Sequence, residues 1–139
     1  MVAITTEDIL KAIRGLASMG QLEPHLFAEE GGYAHVLARE FGKRLNSTQL
    51  RKVFGTLKQV DIRMKGEPKE KQLDRSELDR LIPELAYARG RGVVPEEFYD
   101  LLKMCLSRTK TQTVGDFRRL IEFLTALLAY HKLWDRRAS

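Results

Sequence analysis

The chain has 139 residues, 43% of them hydrophobic and 31% charged, with only four prolines. This is a globular balance, and it excludes a disordered or low-complexity chain in favour of a single domain over residues 1–139 with one core. The formal net charge of +5 favours an anionic partner, of which nucleic acid is the commonest.

The elements follow in chain order. Ile9, Leu10, Ile13, Leu16 and Ala17 recur at helical spacing. Thr5 with Asp8 three residues on has the make-up of a capped start. Gly20 and Pro24 close this region, and the packing of the first 30 residues, a helix and a loop, is left open by their sequence. After Gly31 and Gly32 a second stripe runs through Ala34, Leu37, Ala38, Phe41 and Leu45. A third, Leu50, Val53, Phe54, Leu57, Val60 and Met64, follows the cap-like Asn46-Ser47-Thr48. Residues 65–71 are polar, contain Gly and Pro, and read as a loop. A fourth stripe is Leu78, Leu81, Ile82 and Leu85, with a kink or break expected where Pro83 interrupts it.

A fifth helix follows Pro95, with Glu96 and Glu97 suited to the positive end of the helix dipole; its stripe is Phe98, Leu101, Leu102 and Cys105. The last and longest starts near Thr113, with Asp116 three residues on. It carries Phe117, Leu120, Ile121, Leu124, Leu127, Leu128, His131 and Trp134, with Phe123, Ala126, Tyr130 and Leu133 as a second apolar flank. A helix so apolar needs cover on most sides. It is the expected centre of a bundle or a protein–protein surface. No segment alternates with period two, so the fold reads as all-α, a compact bundle of five to six helices.

Catalytic chemistry is hard to find. His25, His35 and His131 lack a second His or Cys at metal-ligand spacing, and His131 reads as a satisfied core histidine. Cys105 lies on a core stripe and reads as a buried small hydrophobe rather than a nucleophile. Glu29-Glu30 and Glu96-Glu97 read as helix-entry charges. Gly90-Arg91-Gly92 lacks the third glycine and the preceding strand of a dinucleotide fingerprint. The expectation is a protein that is not an enzyme and holds no cofactor or metal. The amino terminus MVAITTEDIL has no basic segment leading into an apolar run, and the apolar stretch Leu124–Tyr130 is far short of the roughly 20 residues that cross a bilayer. With a lone cysteine, these features suggest a cytoplasmic protein without a membrane role.

The positive charge is clustered. From Arg39 to Lys65 there are eight basic residues (Arg39, Lys43, Arg44, Arg51, Lys52, Lys58, Arg63 and Lys65) and two acidic ones. From Gly66 to Ala88 acids outnumber bases six to four. On a wheel of about 100° per residue, Arg51, Lys58 and Lys65 form one ridge and Lys52 and Arg63 a second. Gly55 and Gln59 lie between, a surface on which a phosphate backbone fits closely. The plain alternative is a solvated cationic face, but such faces usually carry acids at i±4. Asp61 falls inside the apolar arc without an evident reason. A second basic group, Lys103, Arg108, Lys110, Arg118 and Arg119, lies at the junction of the last two helices. RNA-recognition-motif and KH signatures are absent. Ser47, Thr48, Gln49 and Arg51 keep a helix-turn-helix DNA-binding alternative in view, and the apolar last helix keeps a protein-interaction module in view.

Three segments together resemble the small helical subunit of type III-A CRISPR effector complexes, the second of the Csm proteins. They are STQLRKVFGTLK (residues 47–58), LIPELAYARGRG (81–92) and FRRLIEFLTALLAYHKLW (117–134). Their order and spacing fit, and they span most of the chain after about residue 30. The resemblance implies a non-catalytic RNA-binding subunit. Such subunits stack in several copies against guide RNA paired to target RNA, contact the backbone without reading sequence, and associate with the other Csm subunits. It implies Arg51, Lys52 and Lys58 as backbone contacts from the first segment, and Tyr87, Arg89 and Arg91 from the second. Charge adds Arg44, Arg63, Lys65, Arg118 and Arg119 to the candidate RNA-binding set. Leu85 and Tyr87 are expected to anchor the helix end, with Tyr87 packing rather than stacking on a base, and Gly90 or Gly92 is expected as the left-handed stop. Self-association by stacking extends to a dimer for the isolated chain.

Overall fold

The computed structural model describes residues 4–138, and the side chains of residues 4–134. Seven α-helices follow one another: α1 (Thr6–Arg14), α2 (His25–Ala28), α3 (Tyr33–Phe41), α4 (Ser47–Arg63), α5 (Ser76–Gly90), α6 (Glu96–Cys105) and α7 (Val114–Ala138). Six of these have nine residues or more, and α2 is a single turn. Short 3₁₀ turns, Met19–Gln21 and Gly42–Arg44, follow α1 and α3. Among the described residues there is no strand. One isolated antiparallel bridge joins Gln72 to Thr113, so the fold is all-α.

Local chemistry explains the helix ends. At α1, Thr5 Oγ1 accepts from the Asp8 backbone N–H and Asp8 Oδ2 accepts from the Thr5 N–H, both at 3.1 Å. This reciprocal box satisfies two of the donors that every helix start leaves free. The helix stops at Arg14 with Gly15 as its cap, so Leu16 and Ala17 lie beyond it despite their spacing. The end is closed from far away: Lys110 Nζ donates to the carbonyls of Arg14 (3.0 Å) and Leu16 (2.7 Å). At the start of α7 the Asp116 N–H donates to Thr113 Oγ1 at 3.2 Å. Asp116 Oδ2 accepts from Gln112 and Thr113, and its Oδ1 accepts from Gly20 at 3.1 Å. One carboxylate thus starts α7 and seats the loop after α1.

Helix α7 lies at the centre. It packs against α2, α3, α4 and both 3₁₀ turns. Phe117, Leu120, Phe123, Leu124 and Leu127 are buried along it. Phe123 meets Phe27 edge-on at 5.4 Å and Phe41 meets Phe98 at 5.6 Å, arrangements favoured by the ring quadrupoles. His131 is 1% exposed with its Nε2 2.9 Å from the Gly42 carbonyl, a partner that can only accept, so Nε2 carries the proton. Cys105 is fully buried and its thiol is pushed up to about 12 by desolvation. That is a small core side chain and not a nucleophile.

The expected break at Pro83 does not occur: α5 runs unbroken from Ser76 to Gly90. A helical proline costs about 3 kcal/mol, but Pro83 is on the exposed side. Leu78, Leu81, Leu85 and Ala88 bury the opposite stripe, and that burial outweighs the lost hydrogen bond. The expected left-handed stop is Gly92, at φ +76°, while Gly90 is still helical. Arg75, 8% exposed just before α5, donates to the carbonyls of Thr111 (2.8 Å), Ser107 (3.5 Å) and Leu106. It also pairs with Asp79 at 3.2 Å. A buried cation therefore collects carbonyls from the segment that follows α6.

Candidate nucleic-acid interface

The basic surface is built on α4. Asn46 caps it, its Oδ1 accepting from the N–H groups of Thr48 (2.9 Å) and Gln49 (3.2 Å). Leu50, Val53, Leu57 and Val60 face the core, which turns the opposite side to solvent. Arg51, Lys52 and Lys58 are exposed there. Among the described residues none of the three has a carboxylate partner. Lys58 instead lies over the Phe54 ring at 5.8 Å. Gly55 sits between them, three or four residues from each. A Cβ built on it meets nothing within 4 Å.

The other candidates divide. Lys65 is exposed, but the helix ends at Arg63 with Met64 as its cap, so Lys65 extends the basic surface from the following turn and not from the ridge. Arg63 pairs with Glu77 of α5. Arg44 pairs with Glu97 at 3.0 Å and Glu40 at 3.7 Å. A hydrogen bond from its own N–H, followed by the Arg44 guanidinium, holds the Glu97 carboxyl below its ordinary value. Arg89 pairs with Glu96 at 3.4 Å and lies over Tyr99 at 4.5 Å. Asp61 is half-buried two residues from the helix end, and among the described residues no base pairs with it.

Four members of the second basic group are occupied within the fold, and the fifth, Lys103, is exposed with its Nζ 5.8 Å from the Tyr99 ring. Arg118 donates to the Glu67 carbonyl at 2.7 Å, and Arg119 to those of Gly20 (3.3 Å) and Leu22 (2.5 Å). Lys110 closes α1, as described, and Arg108 pairs with Asp79 at 2.5 Å. These side chains stitch loops to α6 and α7.

Tertiary packing brings the first two of the three sequence segments together. Helices α4 and α5 run antiparallel. The Arg63–Glu77 pair marks one end. At the other, the Asn46 N–H donates to the Val93 carbonyl at 3.1 Å. Between them opens a groove of about 470 Å³. The buried Val53, Leu81, Leu85 and Val94 form its floor, and Gln49, Lys52, Glu84, Tyr87 and Arg91 stand around its mouth. Tyr87 is 70% exposed, which corrects the expectation that it anchors the helix end; only Leu85 does so. The Arg91 guanidinium lies 5.8 Å from the Tyr87 ring. Gln49 and Glu84 escaped the sequence reading as groove residues, because neither spacing nor charge along one helix signals a cleft made by two.

Among the described residues no group of three or more His, Cys, Asp or Glu is placed to hold a metal ion. No helix there is long and apolar enough to cross a membrane. Among the described residues the fold is small and all-helical, and the α4 surface carries three exposed cations without a carboxylate partner. The sequence model of the family described as Csm2 Type III-A matches residues 28–137, so the chain belongs to that family, whose members are small subunits of the type III-A CRISPR-Csm complex. The match begins at the end of α2 and leaves α1 outside. No curated protein and no solved structure gives a significant match.

Proposed function

We propose that the chain is a non-catalytic subunit that lies along the guide RNA–target RNA duplex, contacts its backbone without reading sequence, and stacks with neighbouring subunits. The observation that carries this reading is the trio Arg51, Lys52 and Lys58, exposed and without carboxylate partners around Gly55. Cations already paired with acids have less to gain from a polyanion, and free ones release counterions when phosphates approach. Lys65 and Arg91 extend the same surface. Arg44, Arg63 and Arg89 join by exchanging a carboxylate for a phosphate. Arg118 and Arg119 support it from within the fold. Stacking draws on exposed apolar side chains, among them Ile62 at 69% and Leu133 at 42%.

The test is RNA-duplex binding by the full chain, followed by fluorescence anisotropy over a salt series. The expected result is sequence-independent binding whose log–log salt slope falls by roughly one unit per phosphate contact removed. The Arg51→Ala/Lys52→Ala/Lys58→Ala variant should bind more weakly with a slope shallower by about three. Unchanged affinity and slope would remove the reading. A strong preference for one DNA duplex over competitors would replace it with a helix-turn-helix function.

A further inference from the structure

The groove between α4 and α5 has a chemistry that backbone contact alone leaves unused. We infer that it takes one unstacked nucleotide of the bound RNA strand, its base on the apolar floor beside Tyr87 and its phosphate between Lys52 and Arg91. This rests on the RNA-binding reading above.

Four features of the groove support that occupant. The volume, about 470 Å³, lies within the range of about 300–1,000 Å³ usual for small-ligand sites. The floor is aliphatic while the mouth carries two cations with no carboxylate bound to either. A bare phosphate would leave the floor wet, and an apolar side chain would leave the cations unused; a nucleotide satisfies both. Tyr87 is a large ring left 70% exposed with a guanidinium near it, and aromatic–Arg pairs of this kind hold splayed bases in RNA-binding proteins. Lys52 also belongs to the free trio on α4, so a strand following that helix passes the groove mouth.

Glu84 sets the direction. Its carboxylate repels phosphate and accepts hydrogen bonds, so it belongs at the base end, where an exocyclic amino group can donate to it. Adenine, cytosine and guanine carry such a group and uracil does not. Uracil can donate only through its ring N3–H, so the groove should favour the other three bases at this one unstacked position, while the paired strand is contacted without reading sequence; Glu84→Gln should weaken that preference.

Two duplexes of equal length separate the ideas, one fully paired and one with a single bulged 2-aminopurine. Wild-type chain should bind the bulged duplex about tenfold more tightly, with a change in 2-aminopurine fluorescence on binding. Tyr87→Ala should abolish that gain, bringing the ratio of bulged-duplex to paired-duplex affinity down to about one, while Tyr87→Phe should keep it. Equal affinity for both duplexes in the wild type would overturn the groove assignment and leave the backbone reading standing. Failure to bind either duplex would overturn both. A Tyr87→Ala variant that changes the sedimentation state of the chain, with no effect on the bulge, would assign the groove to a neighbouring protein and overturn the nucleotide.

Discussion

The backbone N–H of Asn46 donates to the carbonyl of Val93 at 3.1 Å. That bond joins the residue that starts α4 to the turn that follows α5, 47 positions later in the chain by the difference of their numbers. It places Lys52, in the second turn of α4, across a cleft from Arg91, one residue past α5. Neither helix alone has a groove. The site is a property of their antiparallel packing.

Gly55 should behave as a residue kept open for something outside the chain. Nothing lies within 4 Å of a Cβ added there, and an exposed mid-helix glycine costs roughly 0.5–1 kcal/mol relative to alanine. Gly55→Ala should therefore raise the thermal midpoint. Gly55→Leu should fold as well as the parent yet bind RNA several-fold more weakly, because its side chain stands between Arg51 and Lys58. Calorimetry and anisotropy on the same samples check both halves. Full RNA affinity in Gly55→Leu would show that the helix surface is not approached closely.

The carbonyl-clamping cations should separate from the surface ones by what they damage. Arg75→Ala leaves the carbonyls of Leu106 and Thr111 without their charged donor. It should destabilise by about 3 kcal/mol in chemical denaturation, with Arg75→Lys recovering part. Arg119→Ala, which loses donors to Gly20 and Leu22, should lower stability by about 1–2 kcal/mol and leave the RNA salt slope unchanged. Arg51→Ala should do the reverse. A normal thermal midpoint in Arg119→Ala with a shallower salt slope would move that residue back to the interface.

Cys105 should resist alkylation. Burial raises its thiol from the ordinary value of 9.0 to about 12, and the thiolate is the reactive form. Iodoacetamide at pH 8 should leave the folded chain unmodified and label it in denaturant. Because the folded value is the higher one, the thiol's contribution to stability is whole below pH 9 and lost as pH rises toward 12. Cys105→Ala should flatten part of the alkaline fall in stability, at the expense of a small cavity. Rapid labelling of the native protein at pH 8 would contradict the burial.

Helix number, the capped starts at Thr5, Asn46 and Thr113, and the apolar faces were legible in the sequence. Each depends on residues within a turn or two of one another, as does the exposed trio of α4. The same periodicity misled where packing intervened. Pro83 left α5 whole because Leu81 and Leu85 are buried on its other side. Tyr87 looked like an anchor and instead faces solvent at a groove mouth.

What the sequence by itself determined is an all-helical chain with an apolar central helix, a clustered positive charge, and three segments that place it in its family. What only the tertiary structure decided is which cations are free. Arg118 reaches a carbonyl 51 residues away and Arg119 one that is 99 residues away, while Arg51 reaches none. A guanidinium carries the same charge in either place, and its role is set by whether folding brings an acceptor within about 3 Å, a distance no local pattern encodes.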